Sequence, residues 1–278
     1  MKRMTVLISD KPYCEAQVGG MMCGQPVEQW GQQCKYHDPP KVILHLCADT
    51  GSDTKPYQDD PDYEVIKVGA DIGVENYQPP HNVYGIIANP VCLEFSTART
   101  GGKARDPEAG MFLVNECLRI IKEANPTFWV IENPATGRLK DYLGTPRMTY
   151  EPWEYGSPWT KRTALWGNFN LPAKKYTRWE DVPKIAEMYT RPGRGKPGLA
   201  FQHRAMVKRI PEFAPFVEAI MVAPSANHHA DMEFRSLCSQ KFAQAFYEAN
   251  SPPEALSSQD GLEVPTEPMP KSINRNQE

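Results

Sequence analysis

Short apolar runs that end in polar turns recur in the first half of this chain, with a helical pattern between two of them. Runs rich in Val, Ile and Leu are predicted as strands over residues 42–47, 63–68, 83–88 and 127–131. A helix is predicted over residues 106–123, because apolar residues recur there at spacings of three and four. Strands that alternate with helices across short turns predict an α/β fold with a parallel sheet.

Length and composition restrict the class of protein. The chain has 278 residues, of which 40% are hydrophobic, so either one large domain or a domain with a small appendage is expected. Its apolar stretches are too short for a membrane span or a signal peptide. We therefore expect a cytoplasmic protein without membrane contact, whose seven cysteines are thiols or metal ligands rather than disulfides. The net charge of −3 means that contact with nucleic acid requires a local basic surface.

Two of the predicted strands lead into residues that suit covalent chemistry. Cys92 follows the strand at 83–88 after a turn at Pro90, and Glu132 follows the strand at 127–131. In a parallel sheet both residues emerge at the carboxyl edge, where open α/β sheets bind ligands. A loop with few acidic residues would favour the reactive thiolate, and burial would raise the pKa of the carboxyl group so that it can donate a proton. The alternatives are a small buried cysteine and a carboxylate that caps a turn.

At these residues the chain resembles the DNA cytosine-5 methyltransferases, especially the short phage-type members. The resemblance covers residues 42–250 and is carried by Gly-Ser-Asp-Thr-Lys-Pro-Tyr at 51–57, Asn-Pro-Val-Cys with the following Phe-Ser at 89–96, Glu-Asn-Pro at 132–134, Thr-Lys-Arg-Thr-Ala-Leu-Trp-Gly at 160–167, and residues 241–250. It implies a Rossmann-like fold that binds S-adenosylmethionine and acts on double-stranded DNA. It also implies that Cys92 attacks C6 of a flipped cytosine, that Glu132 holds the N3 edge and assists its protonation, and that Arg162 helps to hold the cytosine or its backbone.

The resemblance also implies where the cofactor binds. The residues that it assigns to S-adenosylmethionine are Ala48, Asp49, Thr50, Gly51, Asp71, Asn89 and Asn250. The chain departs from the family where Asp49 replaces the first glycine of the cofactor loop and Val91 replaces the proline before the cysteine. These departures leave three alternatives open: an enzyme that places another group on C5 or acts on free nucleotides, an amino-methyltransferase, and an inactive DNA-binding relative.

Three cysteines and a histidine lie close together near the start of the sequence. They are Cys14, Cys23, Cys34 and His37, separated by eight, ten and two residues. Three thiolates and one imidazole complete a tetrahedral structural zinc site, and the neighbouring glycines allow the bends of a small knuckle. We therefore expect a zinc-knuckle-like arm, with four unrelated residues in an unstructured arm as the alternative.

Residues 189–211 contain no acidic side chain. The candidate DNA-binding residues in this stretch are Arg191, Arg194, Lys196, Arg204, Lys208 and Arg209. Basic side chains here would bind DNA phosphates, and the alternative is a solvated basic loop. The tryptophans at positions 153, 159, 166 and 179 are expected to pack rather than to stack on bases.

The expected organisation has five parts. An arm at 1–40 precedes a catalytic and cofactor-binding core at 41–167, a small DNA-recognition region at 168–235, a helix that returns to the core at 236–250, and a disordered tail at 251–278 that is rich in Pro, Ser, Glu and Gln. We expect a monomer. The resemblance further implies a phage or mobile-element source, in which modification shields DNA from restriction.

Overall fold

The computed structural model of the chain describes residues 17–18, 21–22, 24, 26–27, 39–48, 50–96, 104–222 and 230–251. Several sequence predictions fall outside these residues: the zinc site of Cys14, Cys23, Cys34 and His37, the cofactor role of Asp49, and the disordered tail from residue 252 onward. They stay predictions.

A six-stranded mixed sheet forms the centre of the fold. Its strands are β3 (Lys41–Leu46), β4 (Tyr63–Val68), β5 (Val83–Ala88), β6 (Phe128–Pro134), β7 (Met148–Tyr150) and β8 (Thr163–Asn168), and a separate hairpin pairs β1 (Gln17–Val18) with β2 (Met21–Met22). The strand order is β4-β3-β5-β6-β8-β7. Strands β4, β3, β5 and β6 are parallel, whereas β8 runs antiparallel to both of its neighbours. The predicted parallel α/β sheet is thus confirmed for four strands, and the architecture is compatible with a Rossmann-like fold.

Seven helices and four 3-10 turns surround this sheet in the described part of the chain. The helices are α1 (Lys55–Asp59), α2 (Pro107–Ala124), α3 (Lys140–Leu143), α4 (Arg204–Val207), α5 (Ala214–Val222), α6 (Ala230–Ser236) and α7 (Gln240–Asn250). The 3-10 turns are Pro152–Tyr155, Trp179–Asp181, Leu199–Phe201 and Pro211–Phe213. Across the described ranges, no helix combines the length and the apolar character needed to cross a bilayer.

The longest helix, α2, connects β5 to β6 and is defined by its ends. The Asp106 side chain accepts a hydrogen bond from the Ala109 backbone N–H at 3.0 Å, and Pro107 occupies the first turn, where no N–H donor is needed. Asn125 ends the helix in the left-handed conformation, with φ 45°. The helix crossover between parallel strands brings the ends of β5 and β6 to the same edge of the sheet.

The two faces of the sheet bury separate hydrophobic layers. Ile86 and Ile131 pack with α2 on one face, whereas Ile87 and Val130 pack with α7 on the other. Successive side chains of a strand point to opposite faces, so consecutive apolar residues supply both layers. This explains why β5 and β6 read as continuous apolar runs.

A third hydrophobic cluster is formed mostly by residues that lie between β8 and α7 in the sequence. Its buried members are Trp159, Met188, Leu199, Val207, Ile210, Phe213, Phe216, Ile220, Phe234 and Leu237. Trp159 and Trp166 are buried, which confirms that these two tryptophans pack in the interior. Trp153 and Trp179 instead remain partly exposed.

Strand β6 is longer than the sequence pattern predicts. The pattern ends the strand at residue 131, but the ladder with β8 continues through the pairs Glu132–Leu165, Asn133–Ala164 and Pro134–Thr163. Strand β8, which the apolar pattern does not predict, supplies these pairs. The consequence is that Glu132 is held on a paired strand rather than in a loop.

Candidate functional site

The candidate site lies at the carboxyl edge of the parallel strands, where the strand order reverses. Strand β3 has β4 on one side and β5 on the other, and such a reversal opens a crevice at the ends of the strands. Asp53 follows β3, Cys92 follows β5, and Glu132 lies on β6, one residue past the Ala88–Ile131 pair that ends the β5–β6 ladder. Cys92 and Glu132 are both partly exposed, so neither is sealed in the interior.

Strand β6 and a tight turn hold the backbone around Cys92. The Asn133 side chain donates a hydrogen bond from Nδ2 to the Pro90 carbonyl oxygen at 3.0 Å. The Cys92 carbonyl oxygen accepts hydrogen bonds from the backbone N–H groups of Phe95 at 3.0 Å and Ser96 at 2.8 Å. The buried Phe95 ring anchors this turn in the core. Cys92 is therefore presented from a structured turn that is tied to the strand bearing Glu132.

Glu132 has an environment that favours its protonated form. Burial raises its pKa above the ordinary value, and the negative charge of Asp53 raises it further. The positive charge of Lys161 and a hydrogen bond from Asn89 act in the opposite direction. Since the pKa remains raised, desolvation outweighs the nearby lysine.

The structure corrects the expectation that the loop after Cys92 favours the thiolate. Burial raises the pKa of Cys92, the negative charge of Glu132 raises it further, and the charge of Lys161 lowers it. The repulsion from Glu132 disappears when that carboxyl group is protonated. The two groups are therefore coupled, and a proton on Glu132 makes the Cys92 thiolate easier to form.

Lys161, rather than the predicted Arg162, is the basic residue beside Cys92 and Glu132. Its Nζ donates hydrogen bonds to the carbonyl oxygens of Ser236 at 2.6 Å and Leu237 at 3.0 Å, and its charge acts on both reactive groups. Arg162 is exposed. Alternate residues of an extended segment share a face of the sheet, so Arg162 is on the same side as residues 164 and 166, which pack on the α2 face. The predicted catalytic role of Arg162 is therefore not supported by its position.

Replacing Lys161 with methionine is expected to raise the pKa of Cys92, because a stabilising positive charge is removed. We expect the pH dependence of Cys92 alkylation by iodoacetamide to move upward by about half to one pH unit. Peptide mass mapping isolates Cys92 from the other thiols. Arg162→Met is the matched control and should leave the profile in place. The assignment is wrong if Arg162→Met moves the profile and Lys161→Met does not.

Most of the predicted cofactor residues lie near the same edge. Ala48, Thr50 and the buried Gly51 follow β3, and Gly51 has φ 77°, a conformation that favours glycine. Asp71 follows β4, and a Cβ added at Gly69 would lie 2.9 Å from Asp71 Oδ1 and 3.1 Å from the Ala48 carbonyl oxygen. The missing side chain of Gly69 thus lets the Asp71 carboxylate approach the loop after β3.

Asn250 is an exception and corrects the sequence prediction. Its Oδ1 accepts a hydrogen bond from the Asn170 backbone N–H at 2.7 Å, and its Nδ2 donates to the carbonyl oxygens of Asn170 and Phe246. The Tyr84 hydroxyl donates to the Asn250 carbonyl oxygen at 3.0 Å. Tyr84 lies near the start of β5, at the amino edge of the parallel strands. Asn250 therefore braces the end of α7 at the edge opposite to the site.

It is the start of α7, rather than its end, that contacts the loop after β3. The Cys238 backbone N–H donates to Ser52 Oγ at 3.0 Å, and Gln240 Nε2 donates to the Ser52 carbonyl oxygen at 2.9 Å. A cavity of about 20 Å³ lies between this segment and the sheet, with room for about one water molecule. It is lined by Asp53, Ile87, Val130, Glu132, Leu165, Cys238, Phe242, Ala243 and Phe246.

The candidate DNA-binding residues lie on the surface of the region with the third cluster. Arg191, Arg194, Arg204 and Arg209 are exposed, whereas Lys196 and Lys208 are partly buried. The Lys196 Nζ lies 4.1 Å from the centre of the Trp153 ring, and the Lys184 Nζ lies 4.2 Å from that of Trp179. The Trp153 and Trp179 rings contact each other edge-on at 6.4 Å.

Glu151 connects this surface to the site. One of its carboxylate oxygens accepts a hydrogen bond from the Lys161 backbone N–H at 3.0 Å. The charges of Arg162 and Lys196 also act on this carboxylate and oppose the rise in its pKa that burial causes. Glu151 is thus bonded to the backbone of Lys161 at the site and lies near the charge of Lys196 on the basic surface.

No protein-family model matches the chain, and a search of curated proteins finds no match. Within the described ranges, no group of three or more His, Cys, Asp and Glu side chains is arranged to hold a metal ion.

Replacing Glu132 with glutamine is expected to stabilise the folded protein at high pH. Because the pKa of Glu132 is raised above its ordinary value of 4.5, the folded state holds this proton more tightly than the unfolded state. The stability that this group contributes is complete below the ordinary value and is lost as the pH rises through the folded pKa. We expect Glu132→Gln to raise Tm by about 2–6 °C at pH 8, which corresponds to about 1–2 kcal/mol.

Thermal unfolding followed by circular dichroism at pH 4 and pH 8 measures this effect, and little difference is expected at pH 4. Glu64→Gln, at an exposed position of β4, is the matched control and should change Tm by less than about 2 °C at either pH. A Glu132→Gln variant with the wild-type Tm at pH 8 would show that the ionised carboxylate costs nothing in the fold.

Proposed function

We propose that this protein is a DNA (cytosine-5)-methyltransferase that transfers a methyl group from S-adenosylmethionine to a flipped cytosine through a covalent bond to Cys92. The observation that supports this most is the placement of Cys92 and Glu132 at neighbouring parallel strand ends, both partly exposed at one edge. A thiol and a carboxyl group that retains its proton are the two groups that addition to a pyrimidine requires.

In the proposed reaction, the Cys92 thiolate forms a bond to C6 of the cytosine. Glu132 donates its proton to N3, so the ring gains no net charge and C5 becomes nucleophilic. Lys161 lowers the cost of forming the thiolate beside the carboxyl group. After C5 has received the methyl group, water takes the C5 proton, Cys92 leaves as the thiolate and N3 returns its proton to Glu132, which restores the aromatic ring.

The described residues after β3 and β4 fit S-adenosylmethionine. The Asp71 carboxylate, which the missing side chain of Gly69 lets approach Ala48, would accept hydrogen bonds from the ribose hydroxyls. Ala48, Thr50 and Gly51 would pass close to the methionine part, where the positive φ of Gly51 lets the loop turn. When bound, the cofactor supplies an electrophilic methyl group.

Double-stranded DNA is the proposed partner, held by the basic surface beside the site. The exposed arginines at positions 191, 194, 204 and 209 would contact phosphates, which positions DNA without selecting its sequence. The cavity behind Glu132 has room for about one water molecule, so we place the flipped base at the open edge rather than inside the cavity. Flipping costs a few kcal/mol, which these contacts would offset.

The same geometry makes amino methylation a weaker proposal. That chemistry requires a free asparagine amide and an aromatic ring to hold the base amine at the turn. Here the Asn89 side chain is within hydrogen-bonding distance of both Glu132 and His45, and the turn continues to Val91 and Cys92. We infer that Asn89 supports the site rather than holding a substrate amine.

The proposal is tested by incubating the protein with unmodified DNA and S-adenosylmethionine, followed by mass analysis of the nucleosides. We expect 5-methyldeoxycytidine. A nucleoside with a larger group on C5 would replace the methyl assignment, N4-methyldeoxycytidine would favour amino methylation, and modification of free nucleotides but not of DNA would change the substrate. DNA binding without any modified nucleoside would favour an inactive relative. Methylation that protects DNA from restriction would support a role in shielding the DNA of a phage or mobile element from restriction enzymes.

A further inference from the structure

Two carboxyl groups at the site contact the same amide nitrogen. Asn89 Nδ2 lies 3.3 Å from Glu132 Oε2 and 3.5 Å from Asp53 Oδ1. Both acids also line the small cavity between the sheet and α7. Asp53 follows β3 and Glu132 lies on β6, so the fold brings together two acids that are 79 positions apart in the sequence.

His45 determines which way the Asn89 amide faces. The buried His45 Nε2 lies 2.8 Å from Asn89 Oδ1, and its Nδ1 lies 3.1 Å from Thr54 Oγ1. Because an amide oxygen only accepts hydrogen bonds, His45 Nε2 carries a proton. The Asn89 amide N–H groups are thereby directed at the two carboxyl groups, and the network extends from the core strand β3 to the site.

The negative charge of Asp53 and the positive charge of Lys161 act on Glu132 in opposite directions. Lys161 is the cation that acts on Glu132, and its Nζ already donates to the carbonyl oxygens of Ser236 and Leu237. Cys92, Tyr150 and Cys238 also face this group, and each is neutral when protonated. Two like charges held at one amide group repel each other, so the charge of Asp53 opposes ionisation of Glu132 and raises its pKa.

We propose that Asp53 is a positioning residue that forms an acidic pair with Glu132 at the Asn89 amide, and that its negative charge opposes loss of the Glu132 proton and so keeps Glu132 as a hydrogen-bond donor. The inference deepens the proposed function and rests on it for its catalytic meaning. A protonated Glu132 serves the reaction twice, since it can donate to N3 of the base and does not repel the Cys92 thiolate.

The first test measures the proton directly and needs no activity. The full-length protein is labelled with ¹³C at the glutamate carboxyl carbon, Glu132→Gln assigns the Glu132 signal, and the signal is followed by NMR over the pH range. We expect Glu132 to titrate above ordinary glutamates, and Asp53→Asn to move its midpoint to lower pH by about one pH unit. Asp53→Glu, which keeps the charge, should retain the high midpoint and also shows whether position 53 tolerates change.

Asp59→Asn is the matched control, because Asp59 is an exposed acid of α1 paired with Lys55. It should leave the Glu132 midpoint unchanged. Equal midpoints in the wild type and in Asp53→Asn would overturn the acidic pair, as would a midpoint in Asp53→Glu that falls as far as in Asp53→Asn.

A second measurement separates this inference from the proposed function. We expect the rate of methyl transfer in single turnovers to rise with pH and to level off at the Glu132 midpoint, and Asp53→Asn to move that levelling-off to lower pH by the same amount as the NMR midpoint. Methylation with an unmoved midpoint would overturn the pair and leave the proposed function in place. A moved midpoint in a protein that makes no modified nucleoside would support the pair and overturn the proposed function.

Discussion

Replacing Cys92 with alanine is expected to abolish methyl transfer, with a fall in rate of at least about 10⁴-fold. The reaction proceeds through the bond between Cys92 and C6, and without it C5 does not become nucleophilic. Cys238, which lines the nearby cavity, does not substitute, because it is buried and burial raises its pKa well above the ordinary value. The loss should therefore be complete rather than partial.

Transfer of labelled methyl groups to DNA measures the rate, and DNA that contains 5-fluorocytosine measures the covalent bond as a complex that survives denaturation. Cys117→Ala is the matched control, because Cys117 is a buried residue of α2 and packs on the face of the sheet away from the cavity. It should lower stability but preserve the covalent complex. Methyl transfer that persists in Cys92→Ala contradicts the covalent mechanism.

Replacing Glu132 with glutamine is expected to lower the rate of methyl transfer by about 10²–10⁴-fold. Glutamine preserves the size of the side chain and an N–H donor, but it has no acidic proton to give to N3. The fold should persist, since the same variant is expected to be more stable than the wild type at pH 8. The loss therefore isolates proton donation from structure.

The rate is measured in single turnovers from pH 6 to pH 9, with Glu64→Gln on β4 as the control that should behave as the wild type. Wild-type activity should stop rising once the pH exceeds the raised pKa of Glu132, because thiolate formation and loss of the Glu132 proton then offset each other, whereas the residual activity of Glu132→Gln should continue to rise as the thiolate forms. A variant with wild-type rate at every pH would show that Glu132 plays no part in the chemistry.

Coupling between the two reactive groups has a consequence for pH dependence. The Cys92 thiol must lose a proton whereas Glu132 must keep one, and the pKa of each is raised by burial. Activity should therefore be carried by the form in which an ionised thiol lies beside a neutral carboxyl group, and it should be highest between the two pKa values. Lys161, held by two backbone carbonyl groups, supplies a positive charge that lowers the pKa of both groups.

The strands whose positions the sequence predicts are those made of continuous apolar residues. Strands β4 and β5 match their predicted ranges, and α2 differs from its predicted range by one residue at each end. Local composition suffices there, because burial on both faces leaves little choice of residue type. Strand β8 was not predicted, since Thr163–Asn168 is short and is defined by its pairing with β6.

The sequence also indicated the central pair of the candidate site. Cys92 and Glu132 each follow an apolar run, and parallel strands joined by a helix present their carboxyl ends at one edge. The sequence does not predict the orientation of Lys161. The face on which each side chain of an extended segment lies is set by its register with a neighbouring strand, which no local pattern shows. Asn250 was misassigned for a related reason: α7 is read correctly as a helix, but the edge at which it ends depends on packing.

By itself, the sequence determined that a parallel α/β sheet forms and that a thiol and an acid leave its carboxyl edge. The reason is that both follow from local apolar patterns and from the handedness of strand–helix–strand connections. Only the tertiary structure decided that Asp53, Asn89 and His45 form one network with Glu132 and that Lys161 lies beside it. Those contacts join residues that are distant in the chain, and their distances are set by register and packing rather than by any local pattern.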